Sequence, residues 1–169
     1  MTKEKLERLI QSEPDREVLS LANEGLTYVP ESIGKLKELK QLCLNRNQLT
    51  FIPESIGQLE ELEILRLDHN RLTHLPKSIG KLRNLWNLNL EYNELTFLPE
   101  SIGGLENLEI LMLNNNKLRF LPESICKLKK LEYLGLHNNQ LMNLPEFIGK
   151  LKKLKSLLIN GNYLPINYF

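Results

Sequence analysis

Hydrophobic and polar positions along the chain repeat with a period of 23 residues. Each period contains a Leu-x-Leu pair, an asparagine three residues after the second leucine, a proline six residues later and an isoleucine three residues after the proline. The five clearest Leu-x-Leu pairs begin at Leu42, Leu65, Leu88, Leu111 and Leu134. Because alternate residues of a strand point to opposite faces, each pair predicts a short strand with both leucines on one side. One period cannot enclose these leucines alone, so the pattern predicts a stack of repeats that share a core.

The polar and turn-forming positions predict how the chain leaves each strand. Asn47 and its five equivalents follow the strands, and an inward amide at this position is stable when it bonds to backbone groups of its own and the next turn. Pro53 fits the first position of a short helical turn, and Gly57 fits its end. Each repeat should therefore contain a strand, an asparagine turn and about one turn of helix.

Residues from about 18 to 164 match the pattern L-x-x-L-x-L-x-x-N-x-L, and the chain resembles the leucine-rich repeat proteins. This resemblance implies an α/β fold: a right-handed leucine-rich-repeat solenoid with a parallel concave sheet of about seven short strands and short helical or 3-10 turns on the convex side. The 23-residue variant with Leu-Pro-x-x-Ile-Gly-x-Leu most closely resembles the short repeat proteins of pathogenic leptospires. It resembles next the Ras-suppressor and Ras-scaffold group.

The two ends of the stack depart from the repeat and predict three regions. Residues 1–17 form an N-terminal helical cap whose apolar face is Leu6, Leu9 and Ile10, with a membrane or partner helix as the alternative. Residues 18–162 form the repeats, and Glu24 in the asparagine position predicts a different turn at Gly25. Residues 163–169 form an apolar tail that covers the last repeat or leaves an edge for a dimer; we expect a monomer.

Composition and charge argue against several classes of protein. Leucine accounts for 39 of the 169 residues, and 22 basic residues against 21 acidic ones give a net charge of +1. A globally basic nucleic-acid binder is therefore not expected. No apolar run reaches the ~18 residues of a membrane span, and the N-terminus lacks the apolar core of a secretory signal. The location stays open: cytoplasmic, or secreted or delivered to host cells by a signal-less route or after signal removal.

The sequence contains no convincing catalytic, metal or cofactor motif. The three histidines are His69, His74 and His137. His69 and His74 lie five residues apart across a turn and leave the strand in different directions, so the three or four converging ligands of a zinc site are not expected. Cys43 should point outward from its strand, where a reactive thiol is one interpretation, and Cys126 replaces a repeat glycine. We therefore predict a protein that is not an enzyme and has no cofactor or metal.

The candidate binding site is the concave sheet, whose side chains vary while the frame repeats. Aromatic and methionine anchors ringed by arginine, aspartate and asparagine are typical of protein interfaces. The alternative is that single exposed apolar side chains are ordinary, and that Asp68 and Glu91 pair with Arg66 and Arg71 instead of with a partner. The predicted protein-binding residues are Ile64, Arg66, Asp68, Trp86, Asn89, Glu91, Tyr92, Ile110, Met112, Tyr133, His137 and Leu158.

A second candidate surface is a basic patch near the C-terminal end. Residues 127–155 carry seven lysines against two glutamates, a net charge of about +5. Such a patch fits a phosphate, an anionic lipid or an acidic protein, or it is simply a solvated rim. The lysines are Lys127, Lys129, Lys130, Lys150, Lys152, Lys153 and Lys155.

These patterns predict a non-enzymatic protein–protein interaction module that binds through its concave sheet. The resemblance to the leptospiral proteins implies a host-cell protein as the partner, with a role in adhesion or host signalling. The first alternative is an intracellular signalling scaffold of the Ras-suppressor type. The second is a binder of anionic lipid or glycan through the lysine patch.

Overall fold

The computed structural model describes residues 1–165, and its main element is one parallel sheet of seven strands in sequence order. Each strand is three residues long and belongs to one repeat, so the prediction of about seven short parallel strands is confirmed. A single α-helix, α1 (Lys3–Ser12), precedes the sheet. The strands are β1 (Val18–Ser20), β2 (Gln41–Cys43), β3 (Ile64–Arg66), β4 (Asn87–Asn89), β5 (Ile110–Met112), β6 (Tyr133–Gly135) and β7 (Ser156–Leu158).

The leucines of successive repeats form one continuous core behind the sheet. The register pairs Leu42 of β2 with Leu65 of β3, and Leu65 with Leu88 of β4, and all three side chains are fully buried. Ile56 and its equivalents from the opposite side of the coil are also buried and complete the core. Each repeat therefore buries its apolar side chains against the repeats before and after it.

The asparagines that follow the strands bond backward along the stack. Asn70 Nδ2 donates to Leu67 O of its own repeat and to Leu44 O of the preceding repeat, while its Oδ1 accepts from Leu49 N–H of the preceding repeat. The expectation of bonds to the next turn is thus wrong in direction. The side chain bonds backward because Leu44 O and Leu49 N–H of the preceding repeat would otherwise be buried without hydrogen-bond partners.

A short 3-10 helix occupies the convex side of each repeat. In the second repeat it runs Glu54–Gln58, with Pro53 at the N-cap. Pro53 therefore lies just before the helical turn rather than at its first position, and Gly57 lies inside it. The glycine is needed for close approach: a Cβ on Gly57 would lie 2.6 Å from Ser78 O of the next repeat.

Helix α1 lies against the first repeat. Thr2 Oγ1 accepts a hydrogen bond from Lys5 N–H, as an N-cap threonine does. Leu6 and Ile10 are buried in the core, and Leu9 is half-buried against it. In the adjoining turn Glu24 is exposed, and Gly25 adopts a left-handed conformation with φ of +66°, which is the different turn that the sequence predicts.

The C-terminal tail falls partly outside the described residues. Tyr163 is exposed, and Leu164 packs partly against the core. Whether residues 166–169 cover the last repeat or form a dimer edge concerns a segment beyond those described. Within residues 1–165, no helix has the length and hydrophobicity needed to cross a membrane.

Candidate functional site

The parallel register places the outward residues of neighbouring strands side by side on the concave face. The first row contains Ile64, Ile110 and Tyr133, with Asn87 between the two isoleucines. Their Cα atoms are spaced by the distance between strands, about 4.8 Å. Tyr133 is 39% exposed, while both isoleucines are half-buried by their neighbours. The row is therefore a mainly apolar strip open to solvent.

The second row of the concave face is more varied. The register aligns Arg66 with Asn89, Asn89 with Met112, and Gly135 with Leu158. Leu158 is 48% exposed, Arg66 is exposed, and Met112 is half-buried. A Cβ on Gly135 would lie 2.9 Å from Met112 Sδ, so the glycine leaves space for the methionine side chain to lie over β6.

The third row begins where the strands end and is more buried than expected. Asp68 was predicted on an accessible surface, but it is only 6% exposed, with Arg66 Nε 3.5 Å from its Oδ1. Glu91 accepts a 2.5 Å hydrogen bond from Asn114, whose own Oδ1 accepts from His137 N–H. Asp68 and Glu91 therefore belong partly to a network within the protein. Of the ion pairs that the sequence suggests here, Arg66 with Asp68 is present, whereas Glu91 bonds to Asn114 instead of an arginine.

A residue with a left-handed backbone conformation lies three positions after the end of each strand. Arg46, His69 and Tyr92 have φ angles of +58°, +55° and +53° at equivalent positions of successive repeats. The rings of His69 and Tyr92 are stacked, with centroids 4.4 Å apart and planes 7° from parallel. Tyr92 remains half exposed beside the concave face.

The two cysteines are free and buried. Cys43 lies on the concave side as predicted, but it is only 8% exposed, with Gln41 Nε2 3.3 Å from its Sγ. This burial argues against the interpretation of Cys43 as a reactive thiol, which requires access to solvent. Burial, followed by the charge of Glu123, raises the pKa of Cys126, which favours the unreactive thiol form.

Trp86 lies just before β4, at the edge of the concave face. It is half-buried and lines a depression of about 470 Å³ together with Glu63 and Glu109. Trp86 is among the binding residues predicted from the sequence, whereas these two carboxylates are not. They occupy the equivalent position in the repeats on either side, a signal that the 23-residue period already contained.

Three of the seven lysines of the basic patch are bound by neighbouring groups. Lys129 Nζ lies 2.6 Å from Cys126 O, Lys130 Nζ lies 2.6 Å from Asn107 Oδ1, and Lys155 pairs with Glu132. The other four lysines are exposed and form no salt bridge within residues 1–165: Lys127, Lys150, Lys152 and Lys153. Lys150 Nζ lies 3.7 Å from the centroid of the Phe147 ring.

Sequence reasoning missed a second apolar surface beside the convex turns. Exposed aromatic rings at Phe51, Phe97 and Phe120 stand two residues before a repeat proline. Phe51 and Phe97 line a groove of about 1040 Å³ with His74 between them. The signal was the recurrence of a ring at this one position of the period. Across residues 1–165, no group of three or more histidine, cysteine, aspartate or glutamate side chains converges as metal ligands would.

Comparison with known proteins gives consistent matches along the chain. A family model described as leucine-rich repeat region matches residues 17–92 and 73–162. No curated protein matches the chain. Among solved structures, a leucine-rich repeat protein of Leptospira interrogans is 40% identical with a TM-score of 0.88, over 97% of this chain and 41% of that one.

Two further structures extend the comparison to receptors. The leucine-rich repeat ectodomain of the Arabidopsis thaliana membrane receptor kinase GASSHO1/SCHENGEN3, in complex with CASPARIAN STRIP INTEGRITY FACTOR 2, is 34% identical over 92% of this chain and 19% of that one, with a TM-score of 0.84. A TDR receptor is 32% identical over 85% of this chain and 26% of that one, with a TM-score of 0.74. This chain therefore spans less than half the length of each of these proteins. With the family model matched along nearly all of its length, the chain belongs to the leucine-rich repeat family.

Proposed function

We propose that this protein binds a protein partner through its concave sheet. The leucine-rich repeat fold is a general framework for protein–protein interaction, and proteins built from it are typically non-enzymatic. The observation that carries the proposal is the contrast between a uniform core and varied outward rows. Leu65, Leu88 and Leu111 are identical and fully buried, while the residue after each is arginine, asparagine and methionine in turn.

The chemistry of the rows fits an interface. An apolar centre of Ile64, Ile110, Met112 and Tyr133 has polar and charged groups at its margin, including Arg66. Protein interfaces have this arrangement of an apolar core and a polar rim, with tyrosine, methionine and arginine enriched. The side chains stand on a fixed backbone, so little conformational entropy is lost when a partner binds.

The finer proposal is that the partner is a host-cell protein, with an effect on adhesion or signalling. It is supported by the 40% identity to the Leptospira interrogans protein over nearly all of this chain. The plant receptor ectodomain, solved in complex with an integrity factor, supports macromolecular binding by this fold. A cytosolic scaffold of the Ras-suppressor type is the alternative, in which the partners are signalling proteins of the same cell.

The test combines three alanine substitutions on the concave face. The protein is incubated with host-cell lysate and crosslinked to whatever binds it. The triple variant Met112→Ala, Tyr133→Ala and Leu158→Ala should capture no partner, because it lacks the apolar contacts of the interface. Mass spectrometry identifies the captured proteins. Host surface proteins would support the host-interaction proposal, whereas capture only from lysate of the source cell would favour the scaffold.

The control is Phe120→Ala, which removes an exposed aromatic ring away from the concave face. It should leave capture unchanged, and circular dichroism should show the same fold for every variant. Undiminished capture by the triple variant would contradict binding through the concave face.

The lysine patch supports a second candidate, binding of an anionic lipid or glycan. The supporting observation is the contact of Lys150 with the exposed Phe147 ring, which places a cation next to an apolar group. Proteins that bind anionic lipid surfaces combine these two features, because the cation meets the headgroups and the apolar group meets the acyl chains. Changing Lys150, Lys152 and Lys153 to glutamate should abolish flotation with phosphatidylserine vesicles and leave protein capture unchanged. Binding that is insensitive to salt would argue against this role.

A further inference from the structure

The residues that stand directly before the seven strands form a column along one edge of the sheet. Consecutive members are linked through the backbone: Trp86 N–H donates to Glu63 O at 3.0 Å, and Glu109 N–H donates to Trp86 O at 2.9 Å. Their Cα atoms are therefore about one strand spacing apart, ~4.8 Å. The column is Glu17, Lys40, Glu63, Trp86, Glu109, Glu132 and Lys155.

The two ends of this column are neutralised by internal ion pairs. Lys40 Nζ lies 2.8 Å from Glu17 Oε1, and Lys155 Nζ lies 2.6 Å from Glu132 Oε2. The hydrogen bond to Glu17 raises the pKa of Lys40 above its usual value, and the hydrogen bond to Glu132 does the same for Lys155. At both ends, then, a carboxylate holds the cation of the neighbouring repeat.

The centre of the column lacks such ion pairs. Glu63 and Glu109 form no salt bridge within the described part of the chain. The position between them, where a lysine could neutralise both, is occupied by Trp86. Two carboxylates therefore flank an indole ring, and the column lysine next to Glu63, Lys40, is already paired with Glu17.

The three side chains share a depression that can admit a group from outside. Its volume is about 470 Å³, and Asn84, Asn107 and Lys130 complete the lining. Lys130 is held by Asn107 Oδ1 at 2.6 Å and forms no salt bridge with either carboxylate. Among residues 1–165, no lysine or arginine stacks on the Trp86 ring.

We propose that Trp86, Glu63 and Glu109 bind a cationic side chain, a lysine or an arginine, of the protein partner. The indole face attracts a cation through its quadrupole, and the carboxylates supply charge-assisted hydrogen bonds to an ammonium or guanidinium group. The external cation takes the place that a lysine holds at each end of the column. The assignment of the cation to a partner side chain rests on the proposed function, whereas the site itself does not.

Trp86 is the only tryptophan of the chain, so its fluorescence reports on this site directly. The full chain is titrated with Nα-acetyl-lysine methylamide, Nα-acetyl-arginine methylamide, tetramethylammonium and the neutral Nα-acetyl-norleucine methylamide. At least one of the two amino-acid cations should change the fluorescence saturably, and the norleucine amide should not. The apparent Kd should rise with added salt.

The paired variant Glu63→Gln with Glu109→Gln should weaken this binding about fivefold or more, because both charged acceptors are lost. The control, Glu60→Gln with Glu106→Gln, removes the same charge from the same two spacers outside the depression and should leave the Kd unchanged. Equal binding by both paired variants, or no saturable response to either amino-acid cation, overturns the proposal. A response to tetramethylammonium alone overturns its assignment to a protein side chain.

Failure of this site and failure of the proposed function give different results. If the cation site exists but the concave face does not bind a partner, the amide titrations succeed while capture is unaffected by the triple alanine variant. If the concave face binds and the cation site does not exist, capture is lost in that variant while the titrations are flat.

Discussion

At the scale of single residues, the asparagine that follows each strand joins two repeats. Asn93 Nδ2 donates to Leu90 O of its own repeat and to Leu67 O of the preceding one, and its Oδ1 accepts from Leu72 N–H. All of these groups are buried and far from water. One side chain therefore satisfies three backbone groups that would otherwise lose their hydrogen bonds on folding.

We expect Asn93→Ala to lower the free energy of unfolding by about 2–4 kcal/mol, because buried backbone groups lose their partners. Urea unfolding followed by circular dichroism measures the change. The matched substitution is Asn143→Ala, at an exposed asparagine outside this set of hydrogen bonds, which should change stability by less than about 0.5 kcal/mol. Similar losses for both variants would contradict the structural role of Asn93.

Glu54, the first residue of the 3-10 helix in the second repeat, also contributes to stability through hydrogen bonds to its own side chain. The Ser78 side chain, with the backbone N–H groups of Ser78 and Lys77, lowers the pKa of Glu54 below its usual value of 4.5. The two backbone hydrogen bonds are 2.9 and 3.1 Å long. Because the folded state favours the ionised form, this stabilisation is present above the usual pKa and is lost as pH falls through the lowered one.

Glu54→Gln should therefore lower the melting temperature at neutral pH, by an amount equivalent to about 0.5 kcal/mol after solvent screening. The difference from the unmodified protein should shrink as the pH is lowered below the usual value of 4.5. Glu100→Gln is the control, because Glu100 holds the same repeat position without such a hydrogen bond among the described residues. A Glu54→Gln effect that is constant with pH would refute the argument.

At the scale of elements, the convex turns pack glycine against serine. A Cβ on Gly57 would lie 2.5 Å from the Ser78 Cβ of the next repeat, closer than real side chains approach. The pairing changes at the C-terminal end, where Cys126 replaces the glycine and Phe147 replaces the next serine. There the following 3-10 helix is reduced to Ile148–Lys150, and Gly149 has open space around it.

Gly57→Ala should destabilise the protein by about 1–3 kcal/mol, because the added methyl group forces two packed turns apart. Gly149→Ala, at the equivalent position of the last turn, should be neutral or stabilising by up to about 1 kcal/mol, since alanine restricts the unfolded chain. Thermal unfolding compares the two variants. Equal destabilisation would show that backbone conformation, and not close approach, requires the glycine.

At the scale of the whole molecule, each repeat contacts its neighbours and little else. Energetic coupling should therefore fall with the number of repeats between two sites. Leu65→Ala with Leu88→Ala, on paired strands, should cost about 0.5–3 kcal/mol less than the sum of the single substitutions, because their mutual contact is lost only once.

Leu65→Ala with Leu134→Ala, separated by two intervening strands, should be additive within about 0.5 kcal/mol. Both cycles are measured by urea unfolding. Significant coupling in the distant pair would mean that the core responds as one unit rather than as a chain of neighbours.

How far the sequence predicts the structure depends on whether a position repeats. The buried leucines, the asparagines and the turns recur six times or nearly so, and their shared spacing determines the sheet and its register. Exposure on the concave face does not follow from spacing. Cys43 and Asp68 are buried, with Gln41 beside the Cys43 thiol and Arg66 beside the Asp68 carboxylate, and such contacts depend on the particular side chains present.

The candidate site was predictable only in part for the same reason. Trp86 stands out because it is a tryptophan. Glu63 and Glu109 are ordinary surface glutamates in the sequence, and they belong to the site only because the fold places them on either side of Trp86. Sequence distance conceals this relation, since the two carboxylates are 46 residues apart. Comparing the same repeat position across the chain would have placed all three together.

The left-handed residues after the strands have a consequence for protein engineering. Six non-glycine residues hold positive φ there, and three of them are asparagine, which tolerates this geometry well. Arg46 and Tyr92 are less suited to it than asparagine or histidine, so each displays its side chain against a conformational penalty that glycine would remove. A glycine at Arg46 or Tyr92 would relieve the backbone but would also delete the side chain, so stabilising these turns and keeping their surface groups are opposed aims in protein engineering.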